Sequence, residues 1–210
     1  MSKTRNTQTL DGGVSMSFSK DLELARKAEK YQNELYQDLL PIADIIRYQQ
    51  EDEGDRHVMD REHHIDVVVK LSNGAKLTGQ EKALRNKFAK YNTFTIEFYQ
   101  NRHTKERGEF FNLGAQFYLH GYWNSRESGF CKWYLIRVFD FMNWLKEKPI
   151  EELEAQTRAP GSSNASFYYM DYGDIPNEFI YASHKNPNPQ SIIHKKQDNG
   201  QNSLGDYGGV

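Results

Sequence analysis

Apolar residues recur at helical spacing over residues 18–50, and this pattern predicts a helix. The positions that form the pattern are Leu22, Ala25, Ala28, Leu35, Leu39, Ile42, Ile45 and Ile46. Ser19 is suited to cap the start of this helix, and Pro41 is expected to kink or divide it. The polar and charged stretch at 51–62 is predicted to be a loop.

A β-hairpin is predicted next along the chain. The segment at 65–71 is rich in β-branched residues, and the segment at 75–84 is expected to return as its partner strand. Asn73 and Gly74 lie between the two segments and are a strong signal for a tight turn.

Two further strands and two helices complete the predicted core. Alternation predicts a strand at 93–100, and an apolar run predicts another at 132–141. A short helix is predicted at 112–123, and the segment after residue 141 has helical composition, broken at Pro149. This order of elements predicts an α/β or α+β sandwich, in which helices pack on one mixed sheet.

The chain is predicted to divide into four parts. Residues 1–17 form a flexible arm, 18–156 the core domain, and 157–184 an extension that packs on the core with two short strands. Residues 185–210 are rich in Asn, Pro, Gln and Gly and are predicted to be a disordered tail.

Composition narrows the classes of function. The formal net charge is -2, so an anionic ligand would have to meet a local basic patch rather than a global basic field. Cys131 is the single cysteine, which excludes an internal disulfide and a cysteine-based zinc site. The sequence contains no long apolar run and no apolar signal core, so no membrane span is expected and a cytoplasmic location follows by default.

The hairpin contains polar groups that a sheet core normally excludes. Because side chains alternate along a strand, Gln80 and Lys82 share one face and Glu81 points the other way. Asp66 lies on the partner strand, at about the same distance from the turn. An acid, an amide and an ammonium are therefore predicted to converge at one edge of the sheet.

Such a group of side chains is suited to phosphodiester hydrolysis, which needs a divalent cation to neutralise the phosphate and activate water. Magnesium prefers oxygen ligands. Asp66 supplies a charged oxygen, the Gln80 amide a neutral one, and the Glu81 backbone carbonyl is a candidate third ligand. Lys82 would orient the water or stabilise the developing charge.

In this respect the sequence resembles the PD-(D/E)xK nuclease superfamily. The resemblance lies in Asp66 followed across a hairpin by Gln80-Glu81-Lys82, as in the Gln-x-Lys minority of that superfamily, and in the order of elements over 20–148. The order of elements looks like that of the members found in phages and mobile elements. The resemblance implies a restriction-endonuclease-like fold, a central mixed sheet flanked by helices with the core order α-β-β-β-α-β.

The resemblance also implies a function and further site residues. It implies cleavage of DNA with Mg²⁺ or Mn²⁺, and an acid from the first helix that completes the metal site. Glu29 and Glu34 are the candidates, with Glu29 favoured, and Glu97 would support the site from the third strand. A homodimer is an open alternative, since many nucleases dimerise to cut both strands.

Two positions depart from the superfamily pattern. Gln80 stands where a carboxylate is usual, which removes a negative charge from the metal site. Glu81 stands where an apolar residue is usual, and a charge there is costly unless it is paired.

Basic residues on both sides of the predicted third strand are candidate phosphate contacts. They are Arg85, Lys87, Lys90, Arg102, Lys105 and Arg107. The rival interpretation is a solvated charged face. His57, His63 and His64 match no defined metal-ligand spacing and are interpreted as part of a solvated loop.

Two other functions compete with the nuclease. One is a catalytically inactive nucleic-acid-binding or assembly protein on the same fold, with Gln80 as a mark of lost activity. The other is an unrelated structural or interaction protein that uses its aromatic residues as an interface.

Overall fold

The structure is a computed structural model that describes residues 13–48, 59, 62–161 and 163–187. The expected loop at 51–62 and the expected tail at 185–210 lie largely outside the described residues, as does His57.

A six-stranded mixed sheet forms the centre of the fold. Its order is β1-β2-β3-β6-β7-β10, and β3 and β6 are its parallel neighbours while the other pairs are antiparallel. These strands are β1 (Ile42–Arg47), β2 (Val67–Leu71), β3 (Lys76–Leu84), β6 (Phe117–Trp123), β7 (Phe130–Arg137) and β10 (Ile180–Ser183). The mixed α/β class and the mixed sheet predicted from the sequence are confirmed.

A second, antiparallel sheet of four strands has the order β5-β4-β9-β8. Its members are β4 (Thr93–Asn101), β5 (Glu106–Arg107), β8 (Thr157–Arg158) and β9 (Ser166–Asp171). The chain leaves the large sheet after β3, builds β4 and β5, and returns to the large sheet at β6.

Four helices accompany the sheets in the described part of the chain. They are α1 (Gly13–Leu39), α2 (Glu109–Asn112), α3 (Val138–Lys146) and α4 (Ile150–Ala155). Helix α1 ends just before Pro41, as expected of a residue that cannot continue a helix. It begins at Gly13, inside the segment expected to be a flexible arm and well before Ser19, so Ser19 is not its cap.

Two apolar layers lie on opposite faces of the large sheet. One packs α1 against the sheet and includes Tyr36, Val67 and Phe117. The other fills the space between the two sheets and includes Phe94 and Tyr118. Successive residues of β6 face alternate layers, and all seven of its residues are buried.

Two sequence-based assignments of helix are wrong. The predicted helix at 112–123 is instead strand β6, preceded by the single turn α2. A strand buried on both faces is apolar throughout, and a short apolar run does not distinguish strand from helix. Ile42, Ile45 and Ile46 belong to β1 rather than to the first helix, because Pro41 ends that helix.

The remaining strand predictions are confirmed with changes of place or length. The hairpin turns at Asn73-Gly74, where Gly74 has a φ of +84°. The strand predicted at 93–100 forms as β4, but it belongs to a second sheet, whereas the sequence predicted that all strands lie in one sheet. The strand predicted at 132–141 stops at Arg137, where α3 takes over.

No helix within the described ranges has the length and apolar character needed to cross a membrane.

The close packing of Gly79 on Phe117 yields a stability prediction. A Cβ at position 79 would lie 2.2 Å from a ring carbon of Phe117. Gly79→Ala is therefore expected to lower the free energy of unfolding by about 1–3 kcal/mol through overpacking, measured by urea denaturation. Gly114→Ala, where the nearest atom would be 3.2 Å away, should cost less. Equal losses in the two variants would contradict this packing.

Candidate functional site

Asp66 stands at the open end of the hairpin, immediately before β2. Its backbone N–H donates to the carbonyl of Gly79 at 2.9 Å, which continues the pairing of β2 with β3. Its carboxylate accepts a hydrogen bond from the backbone N–H of Glu81 at 2.8 Å. Asp66 is thus held beside Gln80 and Glu81 by backbone contacts that do not depend on their side chains.

Strand β3 lies between β2 and β6, so this group is not at a sheet edge as the sequence suggested. Its two faces meet different surroundings. Glu81 faces α1, whereas Gln80 and Lys82 face the second sheet. The two departures from the superfamily pattern therefore lie on opposite sides of the sheet.

The Glu81 carboxylate is enclosed by polar partners on the α1 side. It forms an ion pair with Arg47 from β1 and accepts a hydrogen bond from the Tyr36 hydroxyl at 2.7 Å. The Glu81 side chain is 6% exposed and that of Arg47 is 13% exposed. Arg47 is held in turn by the Asn33 side-chain oxygen at 2.7 Å. The negative charge of Glu81, which stands where the superfamily usually has an apolar residue, is therefore compensated by Arg47 and Tyr36.

Lys82 lies on the opposite face, between the sheets. Its ammonium donates to the backbone carbonyl of Thr95 at 3.2 Å and lies 5.0 Å from the centroid of the Phe167 ring. Burial lowers the pKa of Lys82, while the charges of Glu109 and Glu97 oppose that shift. An ammonium with two acidic neighbours and a lowered pKa is suited to exchange a proton.

Two acids approach this lysine from outside β3. Glu97 is on β4 and Glu109 begins α2; burial, and then the charge of Glu109, raises the pKa of Glu97. The position of Glu109 depends on Gly108, where a Cβ would lie 2.8 Å from the Glu97 carbonyl oxygen. Gly108 therefore permits the approach that brings the two carboxylates together.

Glu109 is the site residue that sequence reasoning missed. It is 6% exposed, and burial followed by the charge of Glu109 raises the pKa of Tyr118 well above its usual value. A signal was present in the sequence, because Glu109 follows a glycine at the start of an aromatic run. Burial of an acid in such a run indicates a partner or a function.

Four buried polar atoms in this region have no hydrogen-bond partner among the described residues. They are the side-chain oxygen of Gln80, the carboxylate Oε1 of Glu109, the Tyr118 hydroxyl and Nδ1 of His120. Buried polar atoms are normally hydrogen-bonded, and an unpaired one costs free energy. Those on Gln80 and Glu109 are oxygens of the kind suited to a hard cation.

His120 lies on β6 beside Lys82, as its partner in the parallel register of β3 and β6. It is fully buried, and its Nε2 lies 3.4 Å from the Thr95 hydroxyl. Burial lowers the pKa of His120 well below its usual value, and the charge of Lys82 lowers it further. His120 is therefore neutral and supports Lys82 without adding a competing positive charge.

The acids proposed on the first helix lie elsewhere. Glu34 is exposed and lies 3.9 Å from Lys30, one turn earlier on α1. Glu29 contributes electrostatically to Arg47, on the α1 side of the sheet. Within the described residues, no three His, Cys, Asp or Glu side chains form a metal-binding group.

The candidate basic residues divide into two groups. Lys87 and Lys90 are exposed next to Phe88 and Tyr91, near Lys82. Arg102, Lys105 and Arg107 follow the C-terminal end of β4, and Arg85 follows the end of β3. Lys105 forms an ion pair with Glu154 at 3.0 Å. The remaining members are Arg85, which is half-buried, and Arg102 and Arg107, which are exposed.

Among the histidines, His63 is exposed and its backbone carbonyl accepts a hydrogen bond from the N–H of Gly114 at 2.8 Å. His64 is half-buried.

Comparison with known proteins finds no family model, no curated protein and no solved structure that matches this chain. Inference about its function therefore depends on the contacts around β3.

The contacts of Glu81 predict that this residue stabilises the fold more than Lys82 does. Glu81→Ala leaves the Arg47 charge buried without its partner and is expected to lower the free energy of unfolding by about 3–5 kcal/mol. Lys82→Met removes a desolvated charge and should lower it by less than about 1 kcal/mol. Urea denaturation of the two variants measures both, and a reversed order would contradict the assignment.

His120 yields a prediction about pH. Its folded pKa is depressed below the unfolded value, so below about pH 6.5 the unfolded chain binds a proton that the folded chain excludes. This contribution to stability is present above pH 6.5 and is lost as pH falls, by up to about 1.4 kcal/mol per pH unit. His120→Gln should flatten that dependence in urea denaturation from pH 5 to pH 7. Parallel pH curves for wild type and variant would show that His120 does not titrate this way.

Proposed function

We propose that this protein is a metal-dependent nuclease that hydrolyses DNA phosphodiester bonds at Asp66, Gln80 and Lys82. The observation that carries the proposal is the pair of partnerless acceptors, on Gln80 and Glu109, in the same buried region as a lysine whose pKa is lowered. A site that leaves acceptors unpaired around an ammonium is arranged for a ligand that the protein itself does not supply.

The donor chemistry fits a hard divalent cation. The acceptors available on this face are carboxylate and amide oxygens, which suit Mg²⁺ or Mn²⁺. The carboxylate of Asp66 is oriented by the backbone N–H of Glu81, which donates a hydrogen bond to it. Bound there, such a cation would neutralise the scissile phosphate and lower the pKa of a water molecule.

Glu109 is a candidate to replace the carboxylate that is missing at position 80. The amide at position 80 removes one negative charge from the usual site. Glu109 and Glu97 bring two carboxylates toward Lys82 from outside the hairpin. The proposed ligand set is therefore Asp66, Gln80 and Glu109, with Glu97 as a supporting acid.

Lys82 would carry the proton chemistry. A lysine with a lowered pKa more readily gives up and regains a proton near neutral pH than an exposed lysine does. The hydrogen bond to the Thr95 carbonyl fixes the direction of the ammonium. Lys82 would then orient the attacking water or stabilise charge on the phosphate oxygens.

The order of elements on the large sheet bears on the same proposal. Leaving out β4 and β5, which belong to the second sheet, the chain order is α1-β1-β2-β3-α2-β6. Its members differ from those predicted for the α-β-β-β-α-β core that the resemblance implies, because β1 lies within the predicted first helix and the four-residue α2 stands in place of the predicted helix at 112–123. Asp66 lies immediately before β2, and Lys82 lies on β3.

The second candidate is a nucleic-acid-binding protein on the same fold without activity. The amide at position 80 favours it, because Gln80 is a weaker metal ligand than a carboxylate. The two candidates differ in their response to metal, since only the nuclease requires a cation at Asp66.

The test is cleavage of single-stranded DNA, linear duplex DNA and plasmid DNA with and without Mg²⁺ or Mn²⁺. Wild type should cut when metal is added, and Asp66→Asn and Lys82→Met should lower the rate at least 100-fold, as loss of a metal ligand or proton-transfer group does. Glu178→Gln and Lys146→Met change exposed charges of the same types and should keep the wild-type rate. Metal-independent cleavage, or equal rates in all five proteins, would refute the proposal.

A further inference from the structure

A cavity of about 620 Å³ opens beside Lys82. It lies between one face of β4 and β9 and the segment that contains Phe88 and Tyr91. Its volume is within the range of pockets that hold small organic groups. Because Lys82 lines it, whatever fills the cavity would lie next to the proposed chemistry.

Aromatic rings form much of its wall. Phe88 is 39% exposed and Tyr91 is 57% exposed, and both come from the short segment after β3. Phe167 and Tyr169 line the opposite side from β9. Large aromatic side chains left open to solvent around a concave space indicate a surface for a planar partner.

A cation accompanies each of these rings. Lys87 lies 5.0 Å from the centroid of the Phe88 ring, and Lys90 lies 4.9 Å from that of Tyr91. Arg158 lies 5.9 Å from the centroid of the Tyr169 ring, and Lys82 lies 5.0 Å from that of Phe167.

One acid, Asp171, also lines the cavity, and its carboxylate accepts the Gly173 N–H at 2.7 Å. Two cations, Lys82 and Arg158, line the cavity and outnumber this acid, and Lys87 and Lys90 lie beside rings of its wall. The charge of the wall therefore favours an anionic partner, although the chain as a whole has a formal net charge of -2.

Rings interleaved with cations suit a nucleic acid strand whose bases are unpaired. Each base can stack on a ring, while Lys or Arg meets the phosphate that links it to the next. A base inside a duplex is already stacked on its neighbours and does not offer its face to a protein ring. A protein that reads the duplex backbone alone needs the cations but not the rings.

We propose that this cavity binds an unstacked base of single-stranded DNA and presents the adjoining phosphate to Lys82. This inference rests on the proposed nuclease function and narrows its substrate to single strands, including the frayed ends of duplexes. Tyr91, the most exposed ring of the wall, is the first stacking surface.

The test is binding in EDTA, where cleavage is absent, measured by fluorescence anisotropy. Three labelled probes of equal length are compared: a mixed-sequence single strand, the matching duplex, and a single strand whose central nucleotides lack bases. Wild type should bind the intact single strand about tenfold more tightly than either of the other probes.

Substitutions at Tyr91 then assign that preference to the cavity. Tyr91→Ala should weaken binding of the intact single strand about tenfold, while Tyr91→Phe, which keeps the ring, should retain it. Phe139→Ala removes another exposed aromatic, 72% exposed on α3, and should bind as wild type does.

The failures of the two proposals are distinguishable. Equal affinity for the single strand and the duplex, equal affinity for the strand that lacks bases, or no effect of Tyr91→Ala would overturn the base-binding proposal even if the protein cuts DNA. Absence of binding to all three probes would overturn it as well, and would leave the cavity to an apolar ligand or a peptide. Single-strand binding that depends on Tyr91, without metal-dependent cleavage, would uphold the cavity and refute the nuclease.

Discussion

Strand β3 carries charge on both of its faces, and the fold depends on how each charge is accommodated. On the α1 side, Glu81 is paired with Arg47 and hydrogen-bonded to Tyr36, so its burial is compensated. On the other side, Lys82 faces Glu97 and Glu109 without a comparable ion pair among the described contacts. One face of the strand is thus complete, and the other retains unpaired acceptors.

Because of this asymmetry, three adjacent residues have two roles: Glu81 stabilises the fold, whereas Gln80 and Lys82 belong to the proposed site. Glu81 ties β1, β3 and α1 together, which fixes the strand, while its backbone N–H orients Asp66. A rigid strand is the element on which a site is most precisely held. The second sheet then covers the side of Gln80 and Lys82, and this burial lowers the pKa of Lys82 and of His120.

The sequence predicted the local parts of this arrangement better than the distant ones. The turn at Asn73-Gly74 and the alternation of Gln80, Glu81 and Lys82 follow from short-range rules, so the opposite faces of β3 were predictable. Strand β6 was mistaken for a helix because burial on both faces removes alternation. The approach of Glu109 to Lys82 depends on a second sheet that no local pattern reveals, and the Arg47 partner of Glu81 was hidden for the same reason.

The central claim is that a divalent cation binds on the face of β3 that bears Gln80, with Asp66 and Glu109 as further ligands. Its most direct test is a titration of the metal-free protein with Mn²⁺, in which electron paramagnetic resonance counts free and bound ions. The account predicts a saturable site that is weakened by Asp66→Asn and by Glu109→Gln, and that is unchanged by Glu178→Gln. No saturable binding, or binding that ignores Asp66 and Glu109, would contradict it.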